Sequence, residues 1–461
     1  MIDIKEGRIE SLLKNAVERA KFNNEPQIIS ITKQINNIDP LHVFESARKF
    51  STNRTFWTST ADDYWLVGAG SVHRITASSD RFDKTEEKWQ EILGKAIIHN
   101  PFDVPGTGLL AMGGMSFDPK GSKSALWKNF DESSFIIPEF LLTVHNSSSY
   151  FTVTVKVHPA DEPEKLADSL REKEAVLLSS PDYFPQEVDI QSTEEIAPDE
   201  WKQVVQRATE EIRHSTTDKI VLARELRLKL SANVEITAVL NNLISSQPNS
   251  FVFAFEREGD CFVGATPERL VKLEQDRLLS TCLAGTAPRG ETKAEDDQIA
   301  ETLLHDEKNR SEHDFVVKMI RQAMEKYCSD VNIPDKPVIY PLRNLQHLYT
   351  PVSATLNKDF SIFDIVKELH PTPALGGVPR DTSLEFIRKY ENVDRGWYGA
   401  PIGWLDSSRN GEFAVGIRSG LIRGNEVSLF AGCGVVKDSN PEAEYEETKI
   451  KFKPMMSVLG G

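Results

Sequence analysis

The chain has 461 residues, more than one simple core usually supports, so a large composite domain or two domains are expected. Its 70 Asp and Glu against 54 Lys and Arg give a formal charge of −16, which argues against nucleic-acid or anionic-membrane binding, because phosphate surfaces require clustered cations. Four cysteines (Cys261, Cys282, Cys328, Cys433) show no C-x-x-C spacing, and no run of about eighteen apolar residues occurs, so a soluble cytoplasmic protein without a disulfide framework is expected.

In chain order, Tyr64 to Ala69 and Ser149 to Val155 read as strands, while Glu87 to Ile98 and Glu164 to Leu178 read as helices. The stretch 184–200 (FPQEVDIQSTEEIAPDE) is polar, acidic and contains two prolines, so it reads as a linker between 1–183 and 201–461. Beyond it, Trp201, Val204, Val205, Ala208 and Ile212 recur at helical spacing, predicting an amphipathic helix that ends near His214. Lys219 to Leu230 begins as an apolar strand and then alternates, with Leu226, Leu228 and Leu230 opposite Arg227 and Lys229. Further strands are predicted at Phe251 to Glu256, Cys261 to Gly264, Arg277 to Cys282, Glu412 to Ile422 and Val427 to Ala431, with one long helical block from Ala294 to Tyr327. Strands in groups, with helices between them, predict an α+β sandwich of antiparallel sheets with flanking helices.

Several segments carry polar residues where sites are often built. Gly106 to Ala111 matches the G-x-G-x-x-A form of the dinucleotide fingerprint but follows no clear strand, so it reads as a glycine turn before a buried strand. Glu268 stands where a strand ends, in Thr266-Pro267-Glu268-Arg269, as a site residue or a cap. Leu283 to Gly290 is a glycine-rich loop able to bring amides to an anion, and His370 to Pro379 alternates proline and glycine as a shaped loop would. His313 has no second histidine at ligand spacing and reads as a surface or core residue. On the strand predicted from Glu412 to Ile422, Arg418 shares parity with Ala414, Gly416 and Gly420, which leaves space for a ligand. Glu444, Glu447 and Lys451 fall three and four residues apart, on one helical stripe. Such a stripe suits a divalent cation or a solvated acidic face.

Seven segments in this order resemble the chorismate-utilising enzymes, most closely their isochorismate synthase branch. They are Lys219 to Arg224, Phe262 to Arg269, Leu283 to Gly290, Ser311-Glu312-His313, His370 to Gly377, Gly416 to Ser419 and Pro441 to Lys451. Before residue 200 the resemblance is loose, chiefly at Gly113 to Asp118. What it implies is a Mg2+-dependent conversion of chorismate to isochorismate, with water adding at C2 and the C4 hydroxyl departing. Under it, Lys219 is the base, with a pKa lowered by burial or nearby cations, and Glu268 is the acid, protonated when substrate arrives. Glu312 and Glu447 match metal ligands, with Glu444 as a direct or water-bridged partner. Arg418 and Lys451 match positions that hold substrate carboxylates, and Gly285, Tyr398, Gly432, Gly434 and His347 match substrate lining. Cys433 departs from the usual alanine, and Asn309 stands where anthranilate-forming relatives are acidic. The related alternatives are a salicylate synthase, a chorismate-binding component of an anthranilate or aminodeoxychorismate synthase, or a sensor on the same fold. A monomer is expected.

Overall fold

The computed structural model describes residues 7–121, 123–179, 188–342 and 345–460. Among them, the chain builds two large twisted sheets. One has 13 strands in the order Ile190–Glu195, Lys219–Leu230, Glu426–Val435, Ser419–Arg423, Asp260–Thr266, Phe251–Arg257, Arg54–Ser59, Tyr64–Ala69, Phe140–His145, Ser148–Val157, Gln27–Ile35 and Ile97–His99, with Gly377–Val378 paired to the start of Lys219–Leu230. The other has 10, running from Cys328–Asn332 through Leu345–Leu356, Arg277–Pro288, Arg269–Glu274, Gly411–Val415, Pro401–Asp406, Leu110–Met115 and Ser133–Ile137 to His73–Thr76, with Val338–Pro341 against Leu345–Leu356. Pairing is antiparallel apart from Gln27–Ile35 with Ile97–His99. Both sheets draw strands from either side of residue 200, joined at Phe251–Arg257 with Arg54–Ser59 and at Pro401–Asp406 with Leu110–Met115.

An aromatic layer fills the space between the sheets. Trp57, Phe253, Phe255, Phe262, Trp397 and Trp404 are all at most 1 % exposed, and a side chain of this size stabilises the fold by roughly 2–3 kcal/mol when buried. On the outer face of the larger sheet pack Gly7–Asn23, Pro40–Ala47, Pro163–Leu177 and Ile236–Ser246. The outer face of the smaller sheet is covered by Arg81–Lys95, Glu307–Tyr327 and Ile362–Leu369. The helix predicted after residue 200 runs Pro198–His214 and buries Trp201, Val205, Ala208 and Ile212, the stripe its spacing announced.

Four sequence expectations are corrected. Residues 190–195, read as linker, form the edge strand Ile190–Glu195 beside Lys219–Leu230. Its polar composition is that of a solvated sheet edge, where exposed charges discourage further pairing. Residues 184–187 lie outside the described residues, and Pro198 already opens a helix. The glycine-rich segment from Leu283 is mostly strand, since Arg277–Pro288 continues with a register shift at Gly285, whose φ is +77°. The long helical block breaks at Asp306, which ends Lys293–His305 and caps Glu307–Tyr327 by accepting a hydrogen bond from the Asn309 amide at 2.8 Å. Finally, Glu412 to Ile422 is not one strand. Gly411–Val415 belongs to the smaller sheet and Ser419–Arg423 to the larger one.

Candidate active site

A cavity of about 920 Å³ opens where Lys219–Leu230 and Glu426–Val435 approach Arg277–Pro288 and the helices Glu307–Tyr327 and Pro441–Met456. It is lined by all the residues singled out from the sequence: Lys219, Glu268, Gly285, Glu312, His347, Tyr398, Arg418, Gly432, Gly434, Glu444, Glu447 and Lys451. They span more than two hundred positions of the chain, so their meeting is a product of the fold.

Glu268 and Arg418 occupy two of the places where the chain passes from one sheet to the other. Asp260–Thr266 hands over to Arg269–Glu274 through Glu268, and Gly411–Val415 hands back to Ser419–Arg423 through Arg418. These passes run side by side: the Val415 amide donates to the Glu268 carbonyl at 3.0 Å, and the Ala265 amide donates to the Arg418 carbonyl at 3.1 Å. Gly264 permits this approach, because a Cβ there would lie 2.6 Å from the Arg418 carbonyl oxygen. Arg418 has φ +49°, a left-handed conformation that costs a non-glycine residue about 1–3 kcal/mol. Such strain is held where a side chain must be aimed.

The environment tunes this pair. Burial pushes the Glu268 carboxyl up to about 7, against the opposing pull of Arg418, Thr372 and Lys219. The buried Thr372 hydroxyl lies beside it without reaching hydrogen-bond geometry with any described group. Burial also pulls the Arg418 guanidinium below its ordinary value, opposed by Tyr398, Glu447 and Glu268. Among the described residues, Arg418 makes no ion pair, which leaves its planar fork for an incoming carboxylate.

Lys219 opens its strand at the cavity wall. The shaped loop predicted at His370 to Pro379 and the helix Arg380–Tyr390 after it brace it: Val378 pairs with Lys219, and the Ser383 hydroxyl donates to the Lys219 carbonyl at 2.8 Å. Its ammonium lies 2.6 Å from Glu312, so the neighbour is a carboxylate where nearby cations had been one expectation. Gly434 makes room for this side chain, since a Cβ there would sit 2.5 Å from Lys219 Cε. Gly434→Ala is therefore expected to displace the lysine and lower kcat about 100-fold with little change in melting temperature, as steady-state kinetics and a thermal scan would reveal. An unchanged kcat would show that the exact lysine position is immaterial.

The predicted stripe on Pro441–Met456 faces the cavity. Lys451 donates to the Gly432 carbonyl at 2.8 Å and pairs with Glu447 at 2.6 Å, while the Ser439 hydroxyl donates to Glu444 at 2.7 Å. Among the described residues, no three His, Cys, Asp or Glu side chains gather into a ready metal cage. Glu312, Glu444 and Glu447 are instead spread along the cavity wall, two of them neutralised by lysines. Their donor set, all carboxylate oxygens, suits a hard divalent cation that keeps several waters and takes further oxygens from a ligand.

The remaining lining divides by role. Burial, with Arg418 and Lys451 nearby, lowers His347 to about 4, and its Nδ1 lies 2.9 Å from the Thr286 hydroxyl, so it is a neutral hydrogen-bonding group at pH 7. Tyr398 stacks on Phe430 with ring centroids 5.4 Å apart, and burial raises its hydroxyl pKa. His313 is a core residue, fully buried against the Ala284 carbonyl and the Thr350 hydroxyl. Sequence reasoning missed Arg395, which also lines the cavity. It pairs through two nitrogens with Glu391 at 2.6 and 2.7 Å and donates to the carbonyls of Leu375 and Val221. The Glu391/Arg395 spacing of four was its only local signal.

Residues 14–460 match the family model described as chorismate binding enzyme. The isochorismate synthase MenF of Bacillus subtilis is 41 % identical over 456 residues, covering 97 % of this chain and 96 % of that protein. The salicylate biosynthesis isochorismate synthase of Pseudomonas aeruginosa is 33 % identical over 465 residues, covering 98 % and 95 %. The solved structure of MenF, the menaquinone-specific isochorismate synthase from Escherichia coli, is similar with a TM-score of 0.81 and 25 % identity, covering 97 % of this chain and 99 % of that one. By near-complete coverage in sequence and in fold, the chain belongs to the chorismate binding enzymes.

Proposed function

We propose that this protein is an isochorismate synthase, a cytoplasmic and monomeric enzyme that interconverts chorismate and isochorismate. The observation that carries the reading is the pairing, in one cavity, of a carboxyl held protonated near neutrality (Glu268) with the lysine that opens a strand of the larger sheet (Lys219). Moving a hydroxyl from C4 to C2 requires both a donor for the leaving oxygen and an acceptor for the proton of the attacking water. Glu268 supplies the first and Lys219 the second. Near-full-length identity to isochorismate synthases supports the same reading.

Arg418 and Lys451 hold the substrate's carboxylates, the arginine through its two-pronged geometry. His347, Tyr398, Gly285 and Gly432 shape the space around the ring, and Gly434 keeps the base in place. Glu312 and Glu447, with Glu444 directly or through water, would hold Mg2+. When bound, that ion supplies positive charge against a substrate carboxylate. With Glu312 so engaged, Lys219 would lose its ion-pair partner and could face the attacking water.

Purified protein incubated with chorismate and Mg2+ is expected to form isochorismate, followed by chromatography. The absence of isochorismate would overturn the assignment. Salicylate with pyruvate, or product formed only with an ammonia source, would move the protein to a neighbouring chemistry of the same family.

A further inference from the structure

The strand that supplies Lys219 carries a second cation on its other face. Lys219, Val221 and Ala223 line the cavity, whereas Arg224, of opposite parity, is 1 % exposed beneath the helix Pro441–Met456. Its guanidinium lies 3.9 Å from the Tyr445 ring centroid and 5.6 Å from that of Phe452. Its Nη1 donates to the Thr448 hydroxyl at 3.0 Å, and its Nη2 donates to Glu195 Oε2 at 2.7 Å. The Tyr445 hydroxyl donates to the same Glu195 oxygen. One buried arginine thus grips Tyr445, Thr448 and Phe452, the inner stripe of the helix.

Each of those residues directly follows a cavity residue: Glu444, Glu447 and Lys451. One residue of helix is about 100° of rotation, so holding the inner stripe fixes where the outer one points. Glu195 is the one carboxylate paired with Arg224 among the described residues, and it comes from the edge strand that sequence alone read as linker. A buried cation depends strongly on such a partner. From this geometry we infer that Glu195 and Arg224 are positioning residues that set the rotation of Pro441–Met456 and thereby aim Glu447 and Lys451 into the cavity. The inference rests on the substrate and metal roles proposed above for that stripe.

Glu195→Gln, Arg224→Lys and the milder Tyr445→Phe test it in the full chain. Chorismate is titrated calorimetrically without metal, Mg2+ is titrated alone, and amide exchange is followed along 441–456. Glu195→Gln and Arg224→Lys should weaken chorismate and Mg2+ binding about tenfold each, the range expected when a supporting partner is removed. Tyr445→Phe should act in the same direction by a few-fold, with faster exchange confined to 441–456. Binding of both ligands unchanged in Tyr445→Phe and in whichever other variant folds would overturn the inference, as would a lowered melting temperature with unaltered affinities. If the parent bound chorismate but formed no isochorismate, the reaction assigned above would fail, and the same binding and exchange comparison would still decide the role of the cluster.

Discussion

Glu268→Gln is expected to lower kcat by about 10²–10⁴-fold, the usual loss when a general acid is removed. The amide keeps the shape of the carboxyl and can still donate a hydrogen bond, but it cannot give up a proton to the departing hydroxyl. In the parent, burial raises the carboxyl from 4.5 to about 7, so the acid form persists below that pH. Forward turnover should be sustained below pH 7 and fall as pH rises through it, and the variant should lose this limb of the pH profile. Stability should fall with rising pH as well. Between the unfolded and folded pKa values the native state binds the extra proton, so parent stability declines as pH rises through about 4.5 to 7. A shift of this size corresponds to about 3 kcal/mol at most, and Glu268→Gln should recover part of it above pH 7. Denaturant unfolding at pH 5 and pH 8 checks the sign. Near-normal kcat in the variant would remove Glu268 from the role of acid.

Lys219→Ala should be equally damaging, by about 10²–10⁴-fold in kcat, because neither Lys451 nor His347 on the cavity wall is placed to replace it as base. Lys451 is tied to Glu447 and to the Gly432 carbonyl, and burial with two nearby cations keeps His347 from taking up a proton. Lys219→Arg separates two functions of the lysine. It keeps a positive charge beside Glu312 but remains protonated, so it cannot accept a proton from water. If Lys219→Arg turned over chorismate at more than a tenth of the parental rate, Lys219 would be a counter-ion to Glu312 and the base would lie elsewhere.

How much of this was legible in the sequence follows from which signals are local. Lys219 and Leu226 to Leu230 could be placed on a strand because alternation is a property of neighbours. Glu444, Glu447 and Lys451 could be set on one stripe because helical spacing is equally local, and they do face the cavity together. Arg418 does line the cavity, but its backbone departs from the strand its neighbours suggest. Small residues continue at even positions across Gly416 to Gly420, so the pattern of a strand persists while the chain turns between sheets at φ +49°. Glu195 was hidden for a different reason. A sheet-edge strand with its side chains in water has the composition of a linker, and only its pairing with Lys219–Leu230 distinguishes the two. The break at Asp306 was marked by a capping residue, yet charged residues on both sides let the helical pattern run through it.

The passes that carry Glu268 and Arg418 from sheet to sheet have a mechanical consequence. Lys219 rides wholly on the larger sheet, while Glu268 and Arg418 sit on the straps that tie it to the smaller one. The reach from acid to base is therefore gauged by how far apart the sheets stand, and that gap is filled by Phe253, Phe262, Trp397 and their neighbours. The thickness of that aromatic layer becomes a kinetic quantity, acting on the reaction as a shim acts on the jaws of a clamp.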